Sequence, residues 1–213
     1  MTSEDLLIEL KWGSTSLVEE FGEPDRLIYE YYGAINRVDE YEESTRVGKF
    51  RAQYVDVVRA INEHEDIFEV MDCHSSSMLE YFDPIFGKNS TGFSDLVMET
   101  LNHSINDENL LILDRVELLP EFRGEKIGLK ALRHMMTRFS AGAGIVALKA
   151  FPLQYEAHRD DDLWRSKLLL EDFESNQNFS IEKLKNYYEK LGFKRLPDTD
   201  IMIFSTAFII PSI

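Results

Sequence analysis

Residues 110–151, LLILDRVELLPEFRGEKIGLKALRHMMTRFSAGAGIVALKAF, decide the fold. Leu110 to Leu119 predicts a strand that is apolar on both faces, as a strand covered by helices must be. Pro120 ends it. From Gly124 to Phe139, the residues Ile127, Ala131, Met135 and Phe139 recur every four positions and predict an amphipathic helix. Gly142 and Gly144 break that helix, and Ile145 to Phe151 predicts a second buried strand, stopped by Pro152. Strand, helix and strand with short joins call for a parallel pair with a right-handed crossover. The fold class that follows is α/β, of the mixed α+β type, with helices on both faces of a central sheet.

Downstream, Asp160-Asp161-Asp162 followed by LWRSKLLLEDFE predicts an acidic surface loop leading into an amphipathic helix. Residues 156–180 therefore look like an insertion. Ser180 is the expected N-cap of a helix over 181–191, with Glu182 in its first turn, Ile181, Leu184, Tyr188 and Leu191 as its buried stripe, and Gly192 as its stop. Short strands at 193–196 and 201–205 close the chain. Upstream, RLIYEYYG (26–33) and VGKFRAQYVDVVRA (47–60) predict a pair of strands. Ile67, Met71, Met78, Phe82 and Ile85 predict one helix from Glu63 to Asp83, ended by Pro84. A shorter helix runs from Thr91 to His103.

The 213 residues read as a single domain, 1–213, in which 1–106 is an elaborated N-terminal half and 107–206 a core carrying the insertion. Lys and Arg number 23 against 39 Asp and Glu, a net charge of −16. Such a field repels phosphate backbones and excludes non-specific nucleic-acid binding. It attracts a cationic substrate or a basic partner. Cys73 is the lone cysteine, so an internal disulfide and a multi-cysteine metal site are excluded. No histidine pair has HExxH spacing, and no metal is expected. The start, MTSEDLLIELKWG, lacks a basic, apolar secretory pattern, and no run reaches the ~20 apolar residues of a membrane helix. A cytoplasmic protein without membrane attachment is the expectation.

The chemistry concentrates where the first covered strand meets its helix, Leu118-Leu119-Pro120-Glu121-Phe122-Arg123-Gly124-Glu125-Lys126-Ile127-Gly128. Free N–H groups at a helix start form an anion site suited to phosphate. Gly124 and Gly128 let an anion approach the backbone. Arg123 and Lys126 add two cations to an otherwise acidic chain. A P-loop and a dinucleotide fingerprint are both absent. The alternative is an ordinary tight-turn loop between strand and helix.

Pro120-Glu121-Phe122-Arg123-Gly124-x-x-Ile127-Gly128 resembles the acetyl-CoA pyrophosphate loop of the GCN5-related N-acetyltransferase (GNAT) superfamily, whose signature is Arg/Gln-x-x-Gly-x-Gly/Ala after the fourth strand. Arg123 and Gly128 match its first and last positions, and Lys126 replaces its middle glycine. Tyr188-Glu189-Lys190-Leu191-Gly192-Phe193 resembles the Tyr-x-x-x-Gly-Phe that ends that family's fourth helix. The resemblance covers about the last half of the chain. In the family a β-hairpin lies between the second helix and the fourth strand. Here the strand pair at 26–60 is the available counterpart, upstream of the helices.

The resemblance implies a mixed central sheet whose fourth and fifth strands splay. It implies acetyl-CoA as co-substrate and acetyl transfer to a primary amine, of a small molecule or a protein, by direct attack in a ternary complex. The cofactor contacts it implies are Val116, Leu118, Arg123, Gly124, Lys126, Ile127 and Gly128. Strand amides near Val116 to Leu118 would pair with pantetheine, and the Leu118 amide would bind the oxyanion. Tyr188 is the implied acid for the leaving thiolate, with Tyr187 as its alternate if the helix is rotated; the bland role is a core aromatic. Glu117 shares a strand face with Arg115 and is the candidate base, or merely the ion-pair partner of Arg115. The competing reading is a GNAT-fold acyl-CoA-binding regulatory module that is catalytically weak or inactive. A homodimer is compatible with either.

Overall fold

A computed structural model describes residues 7–15, 23–87, 92–156 and 163–213 of the protein. The acidic triplet Asp160-Asp161-Asp162 lies outside them. Among the described residues, seven strands form one mixed sheet in the order β1-β2-β3-β4-β5-β7-β6. These are β1 Leu7–Gly13, β2 Ile28–Val38, β3 Ser44–Val55, β4 Asn109–Leu118, β5 Ala143–Lys149, β6 Lys194–Arg195 and β7 Ile201–Ser205. Every neighbouring pair is antiparallel except β4 and β5, which are parallel as their crossover helix demands.

Helices α1 Val57–Glu63, α2 Ile67–His74, α3 Ser76–Leu79, α4 Phe82–Phe86 and α5 Asp95–Leu101 all fall between β3 and β4. Helix α6, Ile127–Phe139, joins β4 to β5, and α7, Gln177–Tyr188, precedes β6. Side chains alternate across each strand, so the sheet buries two cores. Phe50, Ala52, Leu111, Leu113, Val146 and Leu148 meet Ile127, Leu132 and Met135 of α6 on one face. Ile28, Val55, Leu110, Ile112, Ile145 and Ala147 meet Ile67, Met71, Phe82 and Val97 on the other. No helix among the described residues is long and apolar enough to cross a membrane.

Several elements depart from the sequence reading. Strand β1 was not anticipated; its exposed Leu7 and Trp12 hide the alternation that marks a strand. The strand expected over 47–60 stops at Val55, because Asp56 caps α1 by accepting the Arg59 N–H at 3.1 Å. The single helix expected from Glu63 to Asp83 is three short ones. Ser75, extended at φ −171° and ψ 153°, breaks the first and caps the second. Pro84 does not stop a helix; it lies in the first turn of α4, where its missing N–H costs nothing. The segment after residue 162 is not an amphipathic helix. It is two 3-10 turns, Arg165–Leu168 and Leu170–Asp172, separated by Leu169 at φ 43°. Helix α7 starts one turn earlier than expected: Asn176 caps it at the Phe179 N–H, and Ser180 is buried inside it. Gly192 does end the run, at φ 85°.

The feature that organises the sheet is the short β4–β5 ladder. Asn109 to Ile112 pair with Ala143 to Ala147, and there the ladder ends. Beyond Ile112, β4 pairs with β3 alone, while β5 continues along β7 to Lys149 opposite Ile201. Between Arg51 and Gln53, β3 advances two residues while β4 passes from Arg115 to Ile112. The extra residue is a bulge at Leu113–Asp114, and bulges bend their strand. Strand β4 therefore leaves β5 and opens a gap in the middle of the sheet.

The start of β5 is fixed by close backbone approach. A methyl group on Gly144 would overlap the Asp107 carbonyl oxygen and Ile105 Cγ2. Gly144→Ala is expected to lower stability by roughly 2–3 kcal/mol, as overpacking against backbone does. Chemical denaturation at constant m-value is the measurement.

Candidate functional site

The Leu119 N–H donates to Val47 O of β3 at 2.9 Å. Alternation then turns the backbone groups of Glu117 and Arg115 to β3 as well, and those of Val116 and Leu118 toward the gap. An open strand edge at Val116 and Leu118 thus lines the gap. Helix α6 begins beside it. Gly124, at φ 87°, and Lys126, at φ 61°, both take left-handed backbone to turn the chain into the helix. Lys126 is exposed and holds a conformation that favours glycine. Ile127 is 1% exposed, so only its backbone faces the loop.

Gly128 has a structural reason of its own. A methyl group there would come within 2.6 Å of the Tyr187 hydroxyl. That hydroxyl also sits at the backbone N–H of Leu129, so Tyr187 serves as a cap on the free N-terminus of α6; burial raises its pKa and this N–H lowers it. Tyr187 and Tyr188 are adjacent on α7, with their rings edge to face at 5.7 Å. Tyr188 packs edge to face on Phe193 at 6.5 Å, and burial pushes its pKa up, so the phenol stays protonated. Tyr81, between α3 and α4, is 5% exposed on the opposite core. Burial and then the nearby Asp114 carboxylate raise its pKa, with Tyr188 close enough to add to the effect and the Lys149 N–H opposing it. By the alternation along β5, in which Ala150 N–H donates to Asp200 O, the Lys149 N–H faces the gap. The two tyrosines thus converge on the gap from opposite faces.

The segment after residue 162 straps across the end of β4. Arg123 Nε donates to Leu118 O at 3.1 Å, its Nη2 donates to Leu168 O, and its guanidinium lies 4.4 Å from the centre of the Phe173 ring. Burial lowers its pKa, against Asp172 and Glu121. Arg123 therefore ties the strap to the loop and does not stand free at the helix start. Trp164 Nε1 donates to Glu117 Oε2 at 2.6 Å, and Arg115 Nη1 donates to Glu117 Oε1 at 3.1 Å. Glu117 is 7% exposed, with both oxygens engaged. Of its two expected roles, the geometry supplies the pairing with Arg115. Arg115 Nη2 reaches Glu156, which also receives Arg165 Nη1 at 3.1 Å. Burial opposes the charge on Arg115, and Glu156, Glu117 and Asp114 more than offset it, so its pKa rises.

On that same face of the sheet, Lys49, Arg51 and Gln53 alternate with the buried Phe50 and Ala52. Arg51 stands directly opposite Arg115, and Lys49 opposite Glu117. Arg51 Nε donates to Asp114 Oδ2 at 2.6 Å, and Lys49 Nζ lies 4.6 Å from the centre of the Trp164 ring. The sequence reading missed Lys49, Arg51, Tyr81 and Trp164. The alternation of GKFRAQY marks the first two as a polar strand face; nothing local marks the others. Among the described residues, no group of three or more His, Cys, Asp or Glu is placed to hold a metal.

Two substitutions separate backbone from ligand roles in the loop. Lys126→Gly is expected to raise stability by about 0.5–1 kcal/mol by relieving the left-handed backbone, less the added chain entropy. Gly128→Ala is expected to cost about 1 kcal/mol, and Tyr187→Phe in that background to recover part of it, because the clashing oxygen is gone. Denaturant titration of the double-mutant cycle reads both.

A scan against models of known protein families finds none that matches the chain, and a search of curated proteins finds no match either.

Proposed function

We propose that the protein is an acetyl-CoA-dependent N-acetyltransferase of the GNAT type, acting on a primary amine. One observation carries the reading: β4 parts from β5 after Ile112, and the open backbone edge of Val116 and Leu118 lies beside the N-terminus of α6. An extended amide-bearing chain is what such an edge binds, and a phosphate is what a helix start binds. Pantetheine joined to a pyrophosphate has both in that order. The sheet order, with β7 between β5 and β6, fits the same reading. The helices between β3 and β4, rather than ahead of the hairpin, are its main departure from the family pattern.

In this reading the amine nitrogen forms its bond to the acetyl carbon, and the carbon–sulfur bond breaks. The Leu118 N–H faces the gap and would hold the carbonyl oxygen as its charge develops. The sulfur leaves as a thiolate and takes a hydrogen bond from Tyr188, whose raised pKa keeps its proton available. An acceptor that arrives as an ammonium sheds one proton before attack and a second as the intermediate collapses; Glu117, once it loosens its hold on Trp164 or Arg115, would take the first, and the leaving thiolate would take the second by way of Tyr188. Gly124 and the amides of 126–128 would take the phosphates once Tyr187 moves off Leu129.

The second reading, an acyl-CoA-binding module without turnover, draws on the same contacts. Glu117 and Arg123 are committed to neighbours, and Tyr187 covers the helix start. The measurement is thermal unfolding with acetyl-CoA, together with thiol release over a panel of amines. Saturation at about 100 times Kd adds about 2.7 kcal/mol, an expected rise in Tm of roughly 5–10 °C for a chain of this size. Tyr188→Phe is expected to lower kcat at least about 100-fold with little change in the KM for acetyl-CoA. A Tm rise without thiol release on any amine selects the module; no rise at all removes both readings.

A further inference from the structure

We propose that the acceptor amine carries a carboxylate on the same small molecule, and that Lys49 and Arg51 bind it. The inference rests on the acetyltransferase reading for its chemistry. With the phosphates at the start of α6, an acceptor reaches the gap from the other face of the sheet. The floor of that face is built by β3 and β4, with Glu156 and the strap residues Trp164 and Arg165 as one wall and Glu80 and Tyr81 as the other.

Among the described residues, the carboxylates around this floor all have a partner. Asp114 accepts from Arg51, Glu117 from Arg115 and Trp164, and Glu156 from Arg115 and Arg165. Glu80 pairs with Lys149, and Glu30 receives Gln53 Nε2 at 3.3 Å and meets His74 Nε2 at 3.4 Å. The cations are not all engaged. Lys49 touches only the Trp164 ring, and it meets no carboxylate among the described residues. Arg51 spends Nε on Asp114 and leaves the outer edge of its guanidinium without a described partner; its side chain is 42% exposed.

The described charges on this floor balance, five of each sign, and the donor capacity left for a ligand is that of Lys49 and of the outer edge of Arg51. A bare ammonium entering it meets described carboxylates that each already hold a charged or N–H donor. A carboxylate finds two donors. Lys49 and Arg51 are two apart on one strand face, so their Cα atoms stand about 7 Å apart, and two long side chains can converge on one anion. Asp114 fixes Arg51 through Nε, which orients the free edge for bidentate binding.

The test compares glycine, β-alanine and γ-aminobutyrate with their carboxamides as acceptors, with phosphoethanolamine and a peptide with an acidic N-terminal residue as further arms. Thiol release gives kcat/KM, and Tm shifts give binding independently of turnover. The expected result is a carboxylate-over-carboxamide ratio of at least about tenfold, as one charge-assisted hydrogen bond supplies. Lys49→Gln with Arg51→Gln should bring that ratio close to one, and Arg51→Lys should retain part of it. A stronger response to phosphoethanolamine or to the peptide than to every amino acid overturns the small carboxylate as ligand. A ratio near one in the wild type, in both turnover and Tm shift, overturns the subsite. An acetyl-CoA Tm rise with thiol release from carboxamides leaves the acetyltransferase reading standing in that event. Carboxylate-specific Tm shifts lost in the double variant, without any acetyl-CoA response, uphold the subsite and sink that reading.

Discussion

The parting of β4 from β5 is the constraint on which the rest depends. A parallel pair buried between two helix layers satisfies its backbone only along its ladder, and this ladder ends at Ile112. The bulge at Leu113–Asp114 bends β4 away while β3 keeps hold of it through Leu118. The same bulge sets which way each following side chain points. Val116 and Leu118 join the α6 core, and Arg115 and Glu117 turn to the other face, each with its backbone groups committed to β3. One inserted residue thus opens the gap and assigns the polar residues to the face away from α6.

An opening in a sheet exposes groups that must find partners, and the chain supplies them from three directions. Arg123 comes from the β4–α6 loop to the Leu118 carbonyl, Tyr187 from α7 to the Leu129 N–H, and Tyr81 from the far helices toward the Lys149 N–H. Each contact is made by the end of a side chain rather than by backbone, so each can be exchanged for a ligand group without breaking a helix or a strand. Neighbouring tyrosines divide this work. Residues one apart on a helix point about 100° apart, so Tyr187 reaches the start of α6 while Tyr188 is left facing the gap.

The central strand–helix–strand unit was legible because its periodicities are long and clean. Ile127, Ala131, Met135 and Phe139 are all buried on α6, and the residues of β5 from Ala143 to Leu148 are buried throughout. The opening beside Val116 and Leu118 was not legible from periodicity; only the family resemblance suggested it. The helical N-terminal half was legible only as helix. Its breaks depend on Ser75 and on caps whose effect is local and competes with an unbroken apolar pattern. The strap failed as a helix because Leu168 and Leu170 reach the core while Leu169 between them is exposed and left-handed, which no 3.6-residue period describes. At Arg123 and Gly128 the helix start gains contacts from 45 and 59 residues downstream, Leu168 and Tyr187, which no local pattern marks.

Charge was the least local signal of all. A net −16 describes the field far from the molecule, and it favours the approach of cations. At about 0.15 M salt that field is screened beyond about 8 Å, so what a bound ligand meets is set by the side chains within reach. On the open face of β3 and β4 those are Lys49 and Arg51, with the neighbouring carboxylates already engaged. The far field and the local donors thus differ in sign: the acidic surround draws cations, while Lys49 and the outer edge of Arg51 present donors. Both donors stand on β3, with β4 between them and the gap, so the local polarity of this face is set by one strand and not by the net charge of the chain.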